Sequence, residues 1–385
     1  MQNSEILNLY SKTASKTQAG STKTEEARAI ANCGNFTTIK STLISQNLLD
    51  SEIIRVSNEF DEALSKIKFL TRNDLEMITI IELYDKDLAI HSLETYRIAK
   101  EKIEKILAFD VKLVELFTME GVLPDQFLRA CLLHDIGKIQ IPKFILNNQI
   151  NYQEMDVHLN HLVLTEKNQT IIDKIKIRTG EKINIVNNDQ LKQLLKKHHL
   201  RPIHFVPTKL ILTEQELEVL VKQNIDLDST LLDIIKTHEG YSKDILAKQN
   251  LPIESDLVGS HHNYHGKGSP YHMTIDSLQI RFDMAELIRI ADMIQALTSP
   301  RAYKKSNFSV PKALKIILEE AKVGRINTKI AYLWIEDEIR EIENNIATIS
   351  NEDLKNITFL KNELMIIENT IPTKLSNKPL SVQMV

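Results

Sequence analysis

The sequence predicts an all-α protein, and two observations support that prediction. Glycine and proline are scarce, with ten of each among 385 residues, which disfavours a turn-rich all-β fold. Apolar residues also recur at helical spacing through most of the chain. The one clear exception is the alternation of isoleucines from Ile175 to Ile185 around Thr179-Gly180. It predicts a small inserted β-hairpin near 174–186 as the only sheet.

The helical pattern begins after a polar N-terminus. Residues 1 to about 28 predict a loose tail or a poorly packed helix. Apolar anchors then recur from Thr37 to about Leu70, and Asn73-Asp74 is expected to cap the helix that follows. Further helical segments lie around His91, over 100–117 and over 125–134.

Helical signals resume in the second half of the chain. Thr213 opens a helix with a capping box that Glu216 completes, and Pro311 after Ser309 is a favourable start for another. Two long amphipathic segments follow, near 328–347 and 351–369.

Composition narrows the class of protein. The net charge of -4 gives no general bias toward nucleic acid or an anionic membrane. The two cysteines, Cys33 and Cys131, provide neither a disulfide framework nor a cysteine-rich zinc site, and Cys131 is expected to be a buried thiol. No stretch approaches the ~20 apolar residues that span a bilayer, and the N-terminus lacks a signal peptide's apolar core. We therefore expect a cytoplasmic protein.

His134 and Asp135 stand side by side in the apolar run Leu-Leu-His-Asp-Ile-Gly-Lys. Buried ionisable groups are costly without a partner, and an imidazole beside a carboxylate suits a transition-metal ion. Other candidate ligands occur in apolar, helix-like contexts: His91, His238, His261, His262 and Asp292. The set is mostly imidazole and has no thiolate, which favours iron or manganese, with zinc as an alternative, over calcium or magnesium.

At these residues the chain resembles the HD superfamily of metal-dependent phosphohydrolases, and more closely its HD-GYP branch. The two most specific motifs are His-Asp-Ile-Gly-Lys from 134 and Ile-Ala-Asp-Met-Ile-Gln-Ala-Leu-Thr from 290. All the matching segments occur in the family's order: 90–99, 134–147, 235–246, 261–270 and 290–304. The resemblance implies an HD-domain helical bundle, here with extra N- and C-terminal helices.

The resemblance also divides the chain. Its two matching parts, roughly 75–150 and 210–335, are separated by an insertion at about 148–209 that contains the expected hairpin. Basic residues outnumber acidic ones over 173–209. We interpret this excess as a solvated face rather than as a surface for a phosphate-rich partner. We expect an N-terminal region over 1–74, a central domain over 75–335 and a C-terminal helical extension over 336–385.

The resemblance implies that two divalent ions are bound, with Asp135 bridging them. The implied ligands are His91, His134, Asp135, His238, His261, His262 and Asp292. Asp87 lies four residues before His91 on the same helical face, where some family members bind a third ion. A hydroxide held between two ions can attack phosphorus, and Lys138 would place a cation beside the transferring phosphate.

Arg301 and Lys304 are three residues apart, so on a helix they share a face. Both side chains suit phosphate, and the family uses matching positions for the second phosphate of a cyclic dinucleotide. A solvated turn after a helix is the alternative. The implied function is hydrolysis of a cyclic dinucleotide, cyclic di-GMP in particular.

One loop departs from the family pattern His-His-Glu-x-x-Asp-Gly-x-Gly-Tyr-Pro. Here the run from His261 to Pro270 reads His-His-Asn-Tyr-His-Gly-Lys-Gly-Ser-Pro, and an alignment on its glycines would instead place Ser260 at the first histidine. The degenerate loop leaves two alternatives open. One is an HD phosphohydrolase for another nucleotide or a phosphomonoester, and the other is a catalytically silent nucleotide-sensing module. The sequence carries no signal for an oligomeric state.

Overall fold

The computed structural model describes residues 20–32, 34–109, 121–147, 193, 207–263, 272–275, 280–299, 307–344 and 349–370. Helices predominate in these residues, which confirms the predicted all-α class. The chain divides into two compact units, Met1–Ile136 with Glu239–Val385, and Gly137–His238. None of the described helices is both long and apolar enough to cross a membrane.

The first helices are α1 (Gly20–Ala31), α2 (Phe36–Ser45), α3 (Leu49–Glu59), α4 (Asp61–Leu64), α5 (Arg72–Tyr84), α6 (Lys86–Phe109), α7 (Pro124–Leu133) and α8 (Lys143–Leu146). Those that follow are α9 (Glu214–Lys222), α10 (Leu231–Lys236), α11 (His238–Lys248), α12 (Pro252–Val258), α13 (Met284–Thr298), α14 (Val310–Lys322), α15 (Thr328–Asn344) and α16 (Asn351–Thr370). Short 3-10 helices occupy Ile136–Gln140 and Thr208–Leu210.

The described sheet is not the one that the sequence predicted. Strands β1 (His272–Ile275) and β2 (Ile280–Asp283) pair antiparallel, so the expectation that 174–186 would hold the only sheet was wrong. The segment 174–186 itself lies outside the described residues. Each observed strand is only four residues long, and β2 runs directly into α13. Such short alternations give little periodic signal beside a strong helical pattern.

The N-terminal helices are packed more tightly than the polar sequence suggested. Helix α1 packs against α2 and α5, and Ala27 and Ala31 are completely buried. The cap of α5 is Thr71 rather than the predicted Asn73-Asp74. Asp74 instead completes the capping box, and its Oδ2 accepts from the backbone N–H of Thr71 at 2.8 Å.

Five helices form the part of the core that positions the candidate site. Helix α6 packs against α5, α7 and α13, and α12 packs against both α7 and α13. Apolar side chains such as Phe127 and Ile288 are completely buried there. Cys131 is also completely buried, as predicted, and burial raises the pKa of its thiol. These helices therefore share one hydrophobic core.

Arg129 on α7 joins three segments around that core. Its guanidinium contacts Asp74 Oδ1 at 3.0 Å and Glu254 Oε1 at 2.9 Å, and it donates to the carbonyl oxygen of Phe69 at 3.1 Å. Both carboxylates are almost fully buried. This cation therefore fixes α5, α7 and α12 relative to one another.

Helix α14 packs on α13, and α14, α15 and α16 pack on each other. Lys102 connects α15 to α6. Its buried ammonium group is paired with Asp337 and with Glu338, the latter at 2.9 Å, and lies 5.8 Å from the ring centroid of Trp334. Helices α15 and α16 closely match the predicted amphipathic segments.

Among its described residues, the second unit contains α8, α9, α10 and the two short 3-10 helices, and α8 packs against α10. The predicted capping box at Thr213 is confirmed, because Glu216 Oε2 accepts from the backbone N–H of Thr213 at 2.8 Å. The backbone N–H of Thr208 donates to the carbonyl oxygen of Ser229 at 2.9 Å, which closes the loop between them.

Arg129→Met should lower the free energy of unfolding by about 3 kcal/mol or more, because it leaves two buried carboxylates without their cation. Arg97→Met is the matched control. Arg97 is 52% exposed and pairs with Glu94 and Glu101 along one helix, so its loss should cost less than about 1 kcal/mol. Urea unfolding followed by circular dichroism compares the two. Equal, small losses would show that Arg129 does not hold the core together.

Candidate metal centre

His91 Nε2 lies at the centre of a compact group of ligand atoms in the first unit. It is 3.2 Å from His134 Nε2, 3.0 Å from Asp135 Oδ2 and 3.2 Å from Asp292 Oδ1. His134 Nε2 is in turn 3.3 Å from Asp135 Oδ2 and 3.8 Å from Asp292 Oδ1. Helices α6, α7 and α13, or their ends, supply these four side chains.

The spacing of these atoms matches what a single metal ion imposes. Nitrogen and oxygen ligands that bind one ion at about 2.0–2.2 Å lie roughly 3 to 3.5 Å from their neighbours around it. Four of the five separations given above fall in that range. The exception is the 3.8 Å between His134 Nε2 and Asp292 Oδ1. Because two imidazoles and two carboxylates converge, the group requires a cation, either a proton or a metal ion, among its lone pairs.

A second group extends from the first through His134 and Asp135. His134, Asp135 and His261 each offer a ligand atom within 4.8 Å of those of the other two. The His134 and His261 rings have centroids 5.2 Å apart, and those of His261 and His262 are 4.0 Å apart. Asp135 thus contributes a carboxylate to both groups.

The ligand atoms are shielded from water to different degrees. His134 and His261 are completely buried, and Asp135 is 1% exposed. The side chain of Asp292 is 15% exposed. Solvent therefore reaches the group at Asp292 rather than at Asp135.

Backbone carbonyls orient three of the predicted histidines. The Nδ1–H groups of His134, His238 and His261 donate to the carbonyl oxygens of Cys131, Ile235 and Val258 at 2.9, 2.6 and 2.6 Å. Each acceptor is three residues earlier, in the last turn of a helix, where carbonyls lack the usual N–H partner. A proton on Nδ1 leaves the Nε2 lone pair available to a metal ion.

Burial and the neighbouring charged groups shift the pKa values of His134 and Asp292 in opposite directions. Burial lowers the pKa of His134, but Asp135 and Asp292 outweigh it and raise that pKa to about 10. Burial likewise raises the pKa of Asp292, whereas His134 and His91 hold it well below its usual value. Without a metal ion, a proton on imidazole therefore balances the carboxylates at neutral pH.

The sequence did not identify three polar residues that support this group. Gln295 Oε1 accepts from His91 Nδ1 at 2.5 Å. Glu239 Oε1 accepts from the backbone N–H of His262 at 2.8 Å, and Ser242 Oγ donates to the carbonyl oxygen of His134 at 2.8 Å. Glu239 follows the predicted ligand His238 directly, and Gln295 lies one helical turn after the predicted ligand Asp292. This spacing was the sequence signal that could have identified them.

The remaining predicted residues are Asp87, His238, Lys138, Arg301 and Lys304. Asp87 is exposed in the first turn of α6, and its backbone N–H donates to Asp85 Oδ1 at 2.9 Å. His238 is buried at the end of the second unit, and Lys138 is partly buried in a 3-10 helix of that unit. Arg301 and Lys304 lie outside the described residues. The predicted roles of all these side chains stay predictions.

Comparison with known proteins gives one family match. Residues 88–227 match the family model of the HD domain. This match supports the resemblance to the HD superfamily, whose members are in general metal-dependent phosphohydrolases. The match includes His91, His134 and Asp135, and it ends before His238. No curated protein and no solved structure gives a significant match to the chain.

Metal affinity should rise with pH, because a metal ion must displace the proton from His134. The pKa of that imidazole is raised to about 10 in the metal-free protein, so it is protonated below that pH and the bound proton opposes the metal. For one displaced proton, the apparent affinity should increase about tenfold per pH unit between roughly pH 7 and 9.

The metal-free protein is titrated with Mn²⁺ in competition with a chelator at several pH values, which measures this dependence. The same titration of the chelator alone is the control. An affinity independent of pH across that interval would contradict the protonated state assigned to His134.

Proposed function

We propose that this protein is a metal-dependent phosphodiesterase that hydrolyses a cyclic dinucleotide, cyclic di-GMP in particular. The observation that best supports the proposal is the convergence of His134, Asp135 and Asp292 on His91 Nε2, with separations of 3.0–3.2 Å. The HD-domain match provides the reaction class, because it covers three of these four residues. The motifs beyond that match provide the case for the HD-GYP branch and the substrate.

In this proposal His91, His134, Asp135 and Asp292 would hold one divalent ion. Asp135 would also be a ligand of a second ion, for which His261, His262 and His238 are the other candidate ligands. Such ions supply Lewis acidity that activates water and neutralises phosphate charge. A donor set of imidazole and carboxylate favours iron or manganese, and Asp87 remains the candidate for a third ion.

The protein itself excludes water from most of the group and leaves one side accessible. Asp135 and His134 are almost completely buried, whereas Asp292 is partly exposed. A phosphate would therefore approach from the side of Asp292. Lys138 would place its charge beside the transferring phosphate, since a fixed cation stabilises the charge that develops there.

Arg301 and Lys304 provide the proposed selectivity for a substrate with two phosphates. They follow Asp292 closely in sequence, so a phosphate remote from the reacting one could be bound by the segment that follows α13. Arginine binds phosphate through two donors at once, and lysine adds a point charge. The degenerate loop after His262 keeps another nucleotide or a phosphomonoester as the second candidate substrate.

Asp135→Asn should remove bound metal and hydrolysis together, because a neutral amide cannot replace a carboxylate shared by two ions. Elemental analysis of anaerobically purified protein and a hydrolysis assay measure the two losses. Asp244→Asn is the matched control, since Asp244 is an exposed carboxylate on α11. Full metal content in the Asp135 variant would refute the bridging role.

Arg301→Ala should weaken cyclic dinucleotide hydrolysis and leave hydrolysis of a small aryl phosphate nearly unchanged. A charge-assisted phosphate contact contributes roughly 1.5–3 kcal/mol, so kcat/KM should fall about tenfold or more for the dinucleotide. Lys138→Ala is the comparison, and it should slow both substrates because its charge acts at the reacting phosphate. Equal losses on both substrates for Arg301→Ala would count against its role in selectivity.

A further inference from the structure

His91 differs from His134 and His261 in how its ring is held. The latter two follow the ends of helices and donate to carbonyls in the last turn. His91 lies inside the long helix α6, where carbonyls accept from the N–H four residues later. A backbone acceptor three residues earlier is therefore already engaged, and the His91 ring needs a partner from another helix.

Helix α13 provides that partner and also contacts the other ring nitrogen. Gln295 Oε1 accepts from His91 Nδ1 at 2.5 Å, and Asp292 Oδ1 lies 3.2 Å from His91 Nε2. The two α13 residues are three apart, so they project from one helical face. One helix therefore fixes both ends of the imidazole.

The amide of Gln295 is itself held in place. Its Nε2 donates at 2.9 Å to Oγ of Ser299, the residue that follows α13, and Gln295 is only 5% exposed. Because the amide nitrogen is directed at Ser299, the amide oxygen faces His91. That orientation specifies a proton on His91 Nδ1 and a lone pair on Nε2.

We propose that Gln295 is a positioning residue that sets the ring orientation and tautomer of His91 for metal binding. The proposal rests on the proposed metal site, and it adds a determinant of that site's affinity. A glutamine is neutral, so it orients the imidazole without the added basicity that a carboxylate partner gives a metal-binding histidine. Gln295→Glu should therefore leave metal affinity equal to or higher than that of the unaltered protein.

Three variants separate positioning from packing. Gln295→Met keeps the length of the side chain and removes the acceptor. Gln295→Glu keeps an acceptor at the same place. Thr298→Val is the control on the same helix, because Thr298 Oγ1 contacts only the carbonyl oxygen of Ile294 among the described hydrogen bonds.

The experiment is a titration of each metal-free protein with Co²⁺, with affinity measured against a chelator and the ligand field read from the visible spectrum. Gln295→Met should bind Co²⁺ about 10–100-fold more weakly, as expected for the loss of a residue that orients a ligand, and its spectrum should change. Gln295→Glu should restore or exceed the natural affinity, and Thr298→Val should match the unaltered protein. Circular dichroism of the metal-free variants establishes that each is folded.

Two outcomes would overturn the positioning role. Gln295→Met could bind Co²⁺ with unchanged affinity and spectrum, or Gln295→Glu could lose as much affinity as Gln295→Met, which would indicate packing alone. If the unaltered protein binds no Co²⁺, the proposed metal site itself fails. If Gln295→Met does not fold, the affinity of Gln295→Glu relative to the unaltered protein decides the question.

Discussion

The rest of the site depends on one constraint, which is that its buried lone pairs need a cation. These lone pairs belong to His91, His134, Asp135 and Asp292. The carboxylates are close enough to the imidazoles to raise the pKa of His134 to about 10, so a proton occupies the group when no metal does. A metal ion satisfies the same lone pairs with more charge. The buried acidic group is thus stable only with a bound cation, and its geometry suits a metal ion.

Buried cations elsewhere hold the helices that supply these ligands. Arg129 fixes the helices that lead into His134 and His261. Arg289 on α13 donates to the carbonyl oxygens of Asn263 at 3.2 Å and Arg325 at 3.0 Å. It thereby connects the segment after His262 to the turn before α15. A buried ion pair adds little net stability relative to apolar residues, although removing one partner is costly. The contribution of Arg129 and Arg289 therefore lies in fixing the positions of the ligand-bearing segments.

Local features of this structure were readable from the sequence, and long-range partners were not. The pairing of His134 with Asp135 and the capping box at Thr213 depend on residues within a few positions of each other. The contact of His91 with Gln295 joins residues 204 positions apart, and no local pattern specifies it. The strands β1 and β2 were missed because four-residue alternations beside a helix resemble parts of the helical pattern.

X-ray absorption spectroscopy of the metal-loaded protein tests directly whether the buried imidazoles and carboxylates bind a metal ion. The spectrum should show an ion bound by nitrogen and oxygen atoms alone, with the outer-shell scattering of several imidazoles and no sulfur. His91→Ala should reduce the imidazole contribution, since His91 Nε2 lies at the centre of the group. An ion bound without imidazole, or an imidazole signal unchanged by His91→Ala, would show that this group is not the metal site.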